Sequence, residues 1–176
     1  MILKRFLPIL IVGIFLIACK KTSSSNNSID VSAQWHFDIS GNILSGYPDS
    51  QWRSVTFTAK ELALFQSLDT VDLAGTTTPA SISVAFYPNP FYTQFRSAVV
   101  YPHQYTGTCI IKYVIVDNLM TPIFKSFLVT NAASPGISLF AILPLIPVGQ
   151  YRLYYTASAQ GNENFYEGWG NIQKTN

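Results

Sequence analysis

The chain has 176 residues, of which 48% are hydrophobic, 14% are aromatic and only 11% are charged, and its formal net charge is +2. This length is enough for one ordinary domain with a substantial core, and the hydrophobic content excludes a wholly disordered chain. The basic residues after position 28 stand singly, without the clustered positive face that nucleic-acid binding requires, so we exclude nucleic acid as a partner.

The first 18 residues have the layout of a secretory signal. Lys4 and Arg5 supply positive charge, and the apolar run from Phe6 to Ile17 is about 12 residues long, too short for a membrane-spanning helix. The run leads into Leu16-Ile17-Ala18-Cys19, which resembles the lipobox at which bacterial lipoprotein precursors are cleaved and acylated. We therefore predict a lipoprotein signal peptide over residues 1–18.

The lipobox resemblance implies that Cys19 is the lipid attachment site and the first residue of the mature protein. Several acyl chains, such as palmitate, would anchor it durably, because each buried methylene contributes about 0.8 kcal/mol and one chain alone binds only marginally. Lys20 stands where an aspartate would, by the same resemblance, retain a lipoprotein at the inner membrane, so we expect the outer membrane, on its periplasmic or surface face. The alternatives are an uncleaved anchor and an ordinary signal followed by a chance cysteine.

Residues 19–28 predict a flexible tether. Lys20 to Ser28 is polar and of low complexity, and it has too little apolar surface to order itself. Signal and tether together hold four of the eleven basic residues, which leaves seven against nine acidic residues in a single domain of residues 29–176. The formal charge of that domain is therefore about −2, and its many aromatic residues and threonines are typical of a β-rich protein.

Short strands with apolar alternation recur along the domain, separated by Pro, Gly and Asn clusters. Seven or more such strands predict a sandwich or a barrel. The sequence run Cys109–Val116 is apolar on both alternations except at Lys112, which predicts a central strand. The predicted strands lie at residues 34–39, 54–58, 82–86, 95–101, 109–116, 123–130, 137–143, 151–157 and 165–172.

Two local patterns interrupt the strands. Thr58-Ala59-Lys60-Glu61 matches a capping box and predicts one short helix that ends before Asp69. Pro144 and Pro147 bracket two apolar residues, which predicts an edge or a crossover.

Three motifs in order resemble the C-terminal sorting domains of type IX secretion substrates of Bacteroidetes. They are Tyr87-Pro88-Asn89-Pro90-Phe91, then Tyr113-Val114-Ile115-Val116-Asp117-Asn118, then Pro147-Val148-Gly149-Gln150-Tyr151. The resemblance implies an immunoglobulin-like β-sandwich, here of about 7–9 strands with at most one short helix. The chain departs from the family in lacking a glycine after Asp117 and in continuing beyond the tyrosine strand. A lipoprotein is already anchored, so we apply the resemblance to the fold.

The sequence contains no catalytic or metal-binding motif. It has no Gly-x-Ser-x-Gly elbow, His-Glu-x-x-His pair, phosphate loop or Cys-x-x-Cys spacing, and no spacing singles out a pair of carboxylates. If Cys19 is acylated, Cys109 has no partner for a disulfide, and we expect a buried inert thiol; a catalytic cysteine would need His36 or His103 as a base. We therefore expect a non-enzyme that uses neither a cofactor nor a metal ion.

The segment Gly161–Gly170 is the most unusual part of the domain. Trp169, Tyr166 and Glu163 are the residue types that stack on sugar rings and bond their hydroxyls, which makes them the candidate ligand-binding residues. The alternative, which we favour, is that the aromatic side chains complete the core while the glycines at 168 and 170 relieve crowding or form a bulge.

Two functions follow as expectations. The first is a non-catalytic, envelope-anchored lipoprotein whose β-sandwich is a structural or protein-interaction module. The second is a carbohydrate-binding surface lipoprotein associated with glycan uptake. The expected partners are the membrane, through the lipid anchor, and either other envelope proteins or glycans. Solvent accessibility of the Trp169 and Tyr166 side chains is the observation that separates the two, because burial of both would remove the sugar site.

Overall fold

The computed structural model describes residues 28–46, 51–68, 82–100, 108–131, 137–142, 144–159 and 162–176. Within these residues the chain forms nine strands and one short helix, in the order β1, β2, α1 and then β3 to β9. The elements are β1 His36–Phe37, β2 Ile43–Ser45, α1 Ala59–Ala63, β3 Ser83–Tyr87, β4 Phe95–Val100, β5 Thr108–Val116, β6 Pro122–Asn131, β7 Ile137–Ile142, β8 Gly149–Ala159 and β9 Asn162–Lys174.

The strands form two main antiparallel sheets and a small hairpin. One sheet has three strands in the order β3-β4-β7, and the other has four in the order β6-β5-β8-β9. The strands β1 and β2 pair separately as a two-stranded hairpin. The inner faces of the two main sheets pack together around one apolar cluster, which confirms the predicted all-β sandwich with one short helix.

The core between the sheets is aromatic. Phe86 of the three-stranded sheet lies 5.0 Å from Tyr155 and 6.0 Å from Tyr113, both in the four-stranded sheet, measured between ring centroids. It also contacts Phe95 edge-to-face at 5.9 Å within its own sheet. Such tilted and edge-to-face pairs stabilise a core beyond the area that they bury.

The four-stranded sheet is also covered on its outer face. Val114 and Tyr154 project outward and pack with Phe57, Leu64 and Phe65 from the helical segment. Because both faces are covered, β5 is buried along almost its whole length. This explains why its sequence is apolar on both alternations, and the prediction of a central strand is confirmed by its position between β6 and β8.

The helix α1 begins with the predicted capping box. The Thr58 side chain accepts a hydrogen bond from the Glu61 backbone N–H, and the Glu61 carboxylate accepts one from the Thr58 backbone N–H at 2.8 Å. These two bonds satisfy donors that a helix start otherwise leaves open. The predicted short helix is therefore confirmed.

Two strand predictions in the first half of the domain differ from the structure, and one strand there was not predicted. The strand predicted over 54–58 does not form; instead Ser54 makes an isolated bridge to Gly168, and the Val55 N–H bonds the Glu167 carbonyl at 2.9 Å. The strand predicted over 34–39 shortens to two residues. The strand β2 lies between the strands predicted at 34–39 and 54–58, where the sequence predicted no strand, because its residues are exposed and lack apolar alternation.

Several predictions concern residues outside the described ranges. These are the signal peptide over 1–18, the lipid attachment site Cys19, the tether up to position 27 and His103. Among the residues that the structure describes, no helix is long and apolar enough to cross a membrane.

Candidate functional site

The aromatic residues predicted as a sugar platform lie on opposite faces of β9. Tyr166 faces the core between the sheets, where its ring stacks on Tyr155 at 6.1 Å between centroids. Trp169 packs on the outer cluster, and the Arg152 guanidinium lies 4.0 Å from the centroid of its ring. Because successive side chains of a strand alternate between faces, residues three apart do not share a surface.

Glu163, the third candidate ligand-binding residue, is exposed and lines a separate pocket beside α1. The three residues thus do not form one platform, and glycan binding by this strand stays a prediction. Cys19 lies outside the described residues.

The glycines of β9 make room for large inner side chains. A Cβ atom at Gly168 would lie 2.4 Å from the Tyr155 hydroxyl, and one at Gly170 would lie 2.2 Å from the Trp52 indole. Neither distance is compatible with a real side chain unless its neighbour moves. The packing of this segment therefore matches the alternative in which aromatic side chains complete the core and glycines relieve crowding.

Two buried amides that the sequence did not identify as important hold the ends of the domain together. Asn89, within the Tyr87–Phe91 motif, donates hydrogen bonds to the carbonyls of Trp35 and Asn171 and accepts one from the Gln173 N–H at 2.8 Å. Its backbone also exchanges two hydrogen bonds with Phe37. The motif therefore connects the hairpin near the start of the domain with the last strand.

Asn171 in β9 is the second of these buried amides. Its side-chain N–H donates to the carbonyls of Asp30 and Ala33, and its Oδ1 accepts from the Arg152 guanidinium at 2.9 Å. Its backbone N–H donates to Gln51, whose own amide donates to the Ala33 carbonyl at 3.0 Å. These bonds fasten the extended segment before β1 across the end of the four-stranded sheet. Buried amides satisfied in this way fix one arrangement of the chain.

The β1–β2 hairpin ends in a well-ordered turn. The Asp38 carboxylate accepts hydrogen bonds from the Ser40 N–H, the Asn42 N–H and the Asn42 side-chain amide, the last at 2.7 Å. The Asn42 side chain is the main reason that the pKa of Asp38 lies below its usual value, and backbone donors add to the effect. Asp38 thus remains an ionised acceptor that holds the turn in one conformation.

This hairpin carries three exposed apolar side chains. Ile39, Ile43 and Leu44 are 66%, 63% and 67% exposed. Ile43 also lines a pocket of about 240 Å³ between the hairpin and β3. Leu44 follows Ile43 in β2 and projects from the opposite face of the hairpin, so Ile43 is the one of these three side chains that adjoins the pocket.

Four aromatic rings line this pocket, those of Trp35, Phe37, Trp52 and Phe86. We call it the aromatic pocket. Trp35 stacks on Phe37 at 6.3 Å between centroids, and Trp52 contacts Phe37 edge-to-face at 6.1 Å and Phe86 at 5.6 Å. The rings support one another, so the pocket has fixed walls.

The candidate catalytic and metal-binding groups are not assembled in the described part of the chain. Cys109 is completely buried in the core between the sheets. His36 lies on the hairpin, where its Nδ1 is 3.1 Å from the Ser45 hydroxyl. No group of three or more His, Cys, Asp or Glu side chains suitable for a metal ion occurs among the described residues.

No protein-family model matches the chain, and no curated protein matches it.

Proposed function

We propose that this protein is a non-catalytic lipoprotein of the outer membrane whose β-sandwich binds another envelope protein. The observation that supports the binding role best is the set of three exposed apolar side chains on the hairpin, Ile39, Ile43 and Leu44, of which Ile43 lines the aromatic pocket. An apolar partner segment would cover these side chains and place one of its own in the pocket. Burial of apolar surface of this kind contributes about 25 cal/mol per Å².

The fixed conformation of the hairpin favours binding. The turn is fixed by the Asp38 carboxylate, and the hairpin is attached to the body of the domain through the Phe37–Asn89 backbone pair. A surface that is already ordered loses little conformational entropy when a partner docks, so more of the contact energy remains as affinity.

The binding proposal is tested by making the hairpin polar. We expect Ile43→Asp and Leu44→Asp to remove partner proteins that co-purify with the solubilised full chain, measured by quantitative mass spectrometry. Leu119→Asp is the matched control, because Leu119 is 62% exposed in the β5–β6 turn. Partners retained by the hairpin variants, or lost equally in the control, would overturn the proposal. Unchanged melting temperatures would show that all three variants are folded.

The lipid anchor of this proposal is supported by the sequence around Cys19. We expect Cys19→Ser to release the protein from membranes and to abolish labelling with a fatty-acid probe. Membrane association that persists in this variant would contradict the proposed anchor. The hairpin experiment is independent of this result.

A further inference from the structure

Lys112 occupies an unusual place for a charged residue. It lies in the middle of β5, on the outer face of the four-stranded sheet, and the residue is only 7% exposed. The Lys112 Nζ is not among the buried polar atoms that lack a hydrogen-bond partner in the described structure, so the aliphatic stem is buried while the ammonium reaches solvent. A hydrophobic residue here would continue the apolar pattern of the strand.

No partner inside the described structure compensates this charge. Lys125, also on the outer face, donates to the Ser67 hydroxyl at 2.8 Å, whereas the Lys112 ammonium has no hydrogen bond or ion pair with any described residue. Thr156 pairs with Lys112 in the adjacent strand, and its hydroxyl is buried without a hydrogen-bond partner. The next residue across the sheet, Glu167, already accepts a hydrogen bond from the Phe57 N–H.

The Lys112 side chain lines a pocket of about 330 Å³ beside α1. Leu62, Phe65 and Leu68 give it an apolar wall, and its polar lining also includes the amides of Gln66 and Asn164 and the carboxylate of Glu163. Glu163 is exposed and the Lys112 ammonium reaches solvent, so the pocket carries one acidic and one cationic group. This volume is at the small end of the range for ligand pockets.

We propose that this pocket binds a small organic carboxylate that also carries an amino or hydroxyl group. The ligand carboxylate would accept a charge-assisted hydrogen bond from the Lys112 ammonium. Its apolar part would contact Leu62 and Phe65, and its amino or hydroxyl group would donate to Glu163. An amino acid and a sugar acid both have this chemistry.

Titration calorimetry on the solubilised full chain tests the proposal with three probes: acetate, L-leucine and D-glucuronate. We expect saturable binding of L-leucine or D-glucuronate, and weaker or no binding of acetate. Lys112→Met, which keeps length and apolar volume without the charge, should weaken binding by at least about tenfold. Lys60→Met, at an exposed lysine of α1, should leave it unchanged.

A second variant distinguishes the two classes of ligand, amino acids and sugar acids. Glu163→Gln should weaken binding of L-leucine, whose ammonium would lose an ion pair, more than binding of D-glucuronate.

A measurement on the unmodified chain avoids dependence on the folding of a variant. The rate of reductive methylation at Lys112, followed by peptide mass spectrometry, should fall when the bound probe is present, while that at Lys60 should not. Absence of binding by all three probes, unchanged affinity in a folded Lys112→Met variant, or no protection of Lys112 would overturn the proposal.

Discussion

Gly170 shows how one missing side chain shapes the core. Its Cα faces the Trp52 indole, and an added Cβ atom would lie 2.2 Å from the ring. We predict that Gly170→Ala lowers the free energy of unfolding by about 1–3 kcal/mol, because the tryptophan must shift in a packed environment. Urea denaturation followed by tryptophan fluorescence measures this change.

A double-mutant cycle identifies the cause of that loss. If the clash with Trp52 is responsible, Gly170→Ala should cost much less in a Trp52→Leu background than in the original chain. Equal costs in the two backgrounds would show that the glycine is needed for a different reason.

Asn89 gives a second prediction at this scale. Its side chain makes three hydrogen bonds to backbone groups, so Asn89→Ala would leave a buried N–H and two carbonyls without those partners. We expect the free energy of unfolding to fall by about 3 kcal/mol. Asn42→Ala is the control, because this exposed amide bonds only Asp38 at the surface of the hairpin. A similar loss in both variants would argue against a special role for the buried network.

Sequence reasoning could not have located this network. The backbone carbonyls that accept hydrogen bonds from the Asn89 and Asn171 side chains are 54 to 141 positions away along the chain, and a backbone carbonyl has no residue-type signature. The aromatic residues of β9 differ in this respect. Their types indicated sugar stacking, but their spacing of three within a predicted strand already places Trp169 and Tyr166 on opposite faces, and the pairing of Trp169 with Tyr154 and of Tyr166 with Ala157 agrees with that.

At the scale of elements, α1 depends on its cap more than on its length. The helix has five residues, too few to be stable alone, and the Thr58–Glu61 capping box supplies its first hydrogen bonds. We predict that Thr58→Ala destabilises the protein by about 1 kcal/mol, whereas Thr58→Ser, which keeps the hydroxyl, costs little. Amide hydrogen exchange at Leu64 and Phe65 should accelerate in the alanine variant. Unchanged exchange there would mean that packing alone holds the helix.

Strands were predictable where burial imposed a pattern. The strand β5 was predicted from its continuous apolar run, and β3 from alternation that matches its one buried face. Val55 and Phe57 show the same alternation, yet no strand forms there, because one N–H bonds the Glu167 carbonyl and the other bonds the Glu167 carboxylate. Alternation records which side chains are buried, and it does not say whether the backbone pairs in a continuous ladder.

For the whole molecule, the residues behind the sorting-domain resemblance have local structural roles. The Asp117 carboxylate accepts hydrogen bonds from the Leu119 and Thr121 N–H groups and so fixes the β5–β6 turn. The Tyr151 hydroxyl donates to the Pro147 carbonyl at 2.9 Å. Such turn and corner contacts serve any β-sandwich, and for that reason these motifs carry information about the fold more directly than about function.

The tyrosines of the sandwich predict how its stability depends on pH. Burial raises the pKa of Tyr155 well above its usual value, and the neighbouring Tyr166 adds to the shift. Burial is also the main reason that the pKa values of Tyr151, Tyr154 and Tyr166 are raised. In the unfolded chain these groups lose their protons near about pH 10, while the folded protein still holds them. The tyrosines should therefore leave the free energy of unfolding unchanged below about pH 10, and they should lower it as the pH rises above that value.

Tyr155→Phe isolates the largest of these contributions. The Tyr155 hydroxyl is buried beside Tyr166, and Tyr155→Phe keeps the ring, so its removal should change the free energy of unfolding at neutral pH by no more than about 1 kcal/mol. Above about pH 10 the variant should lose stability more slowly, by up to about 1.4 kcal/mol per pH unit, because one fewer proton separates the two states. Urea denaturation at several alkaline pH values measures both slopes, with Tyr92→Phe at an exposed position as the control. Equal slopes for Tyr155→Phe and the original chain would mean that this buried phenol does not govern alkaline unfolding.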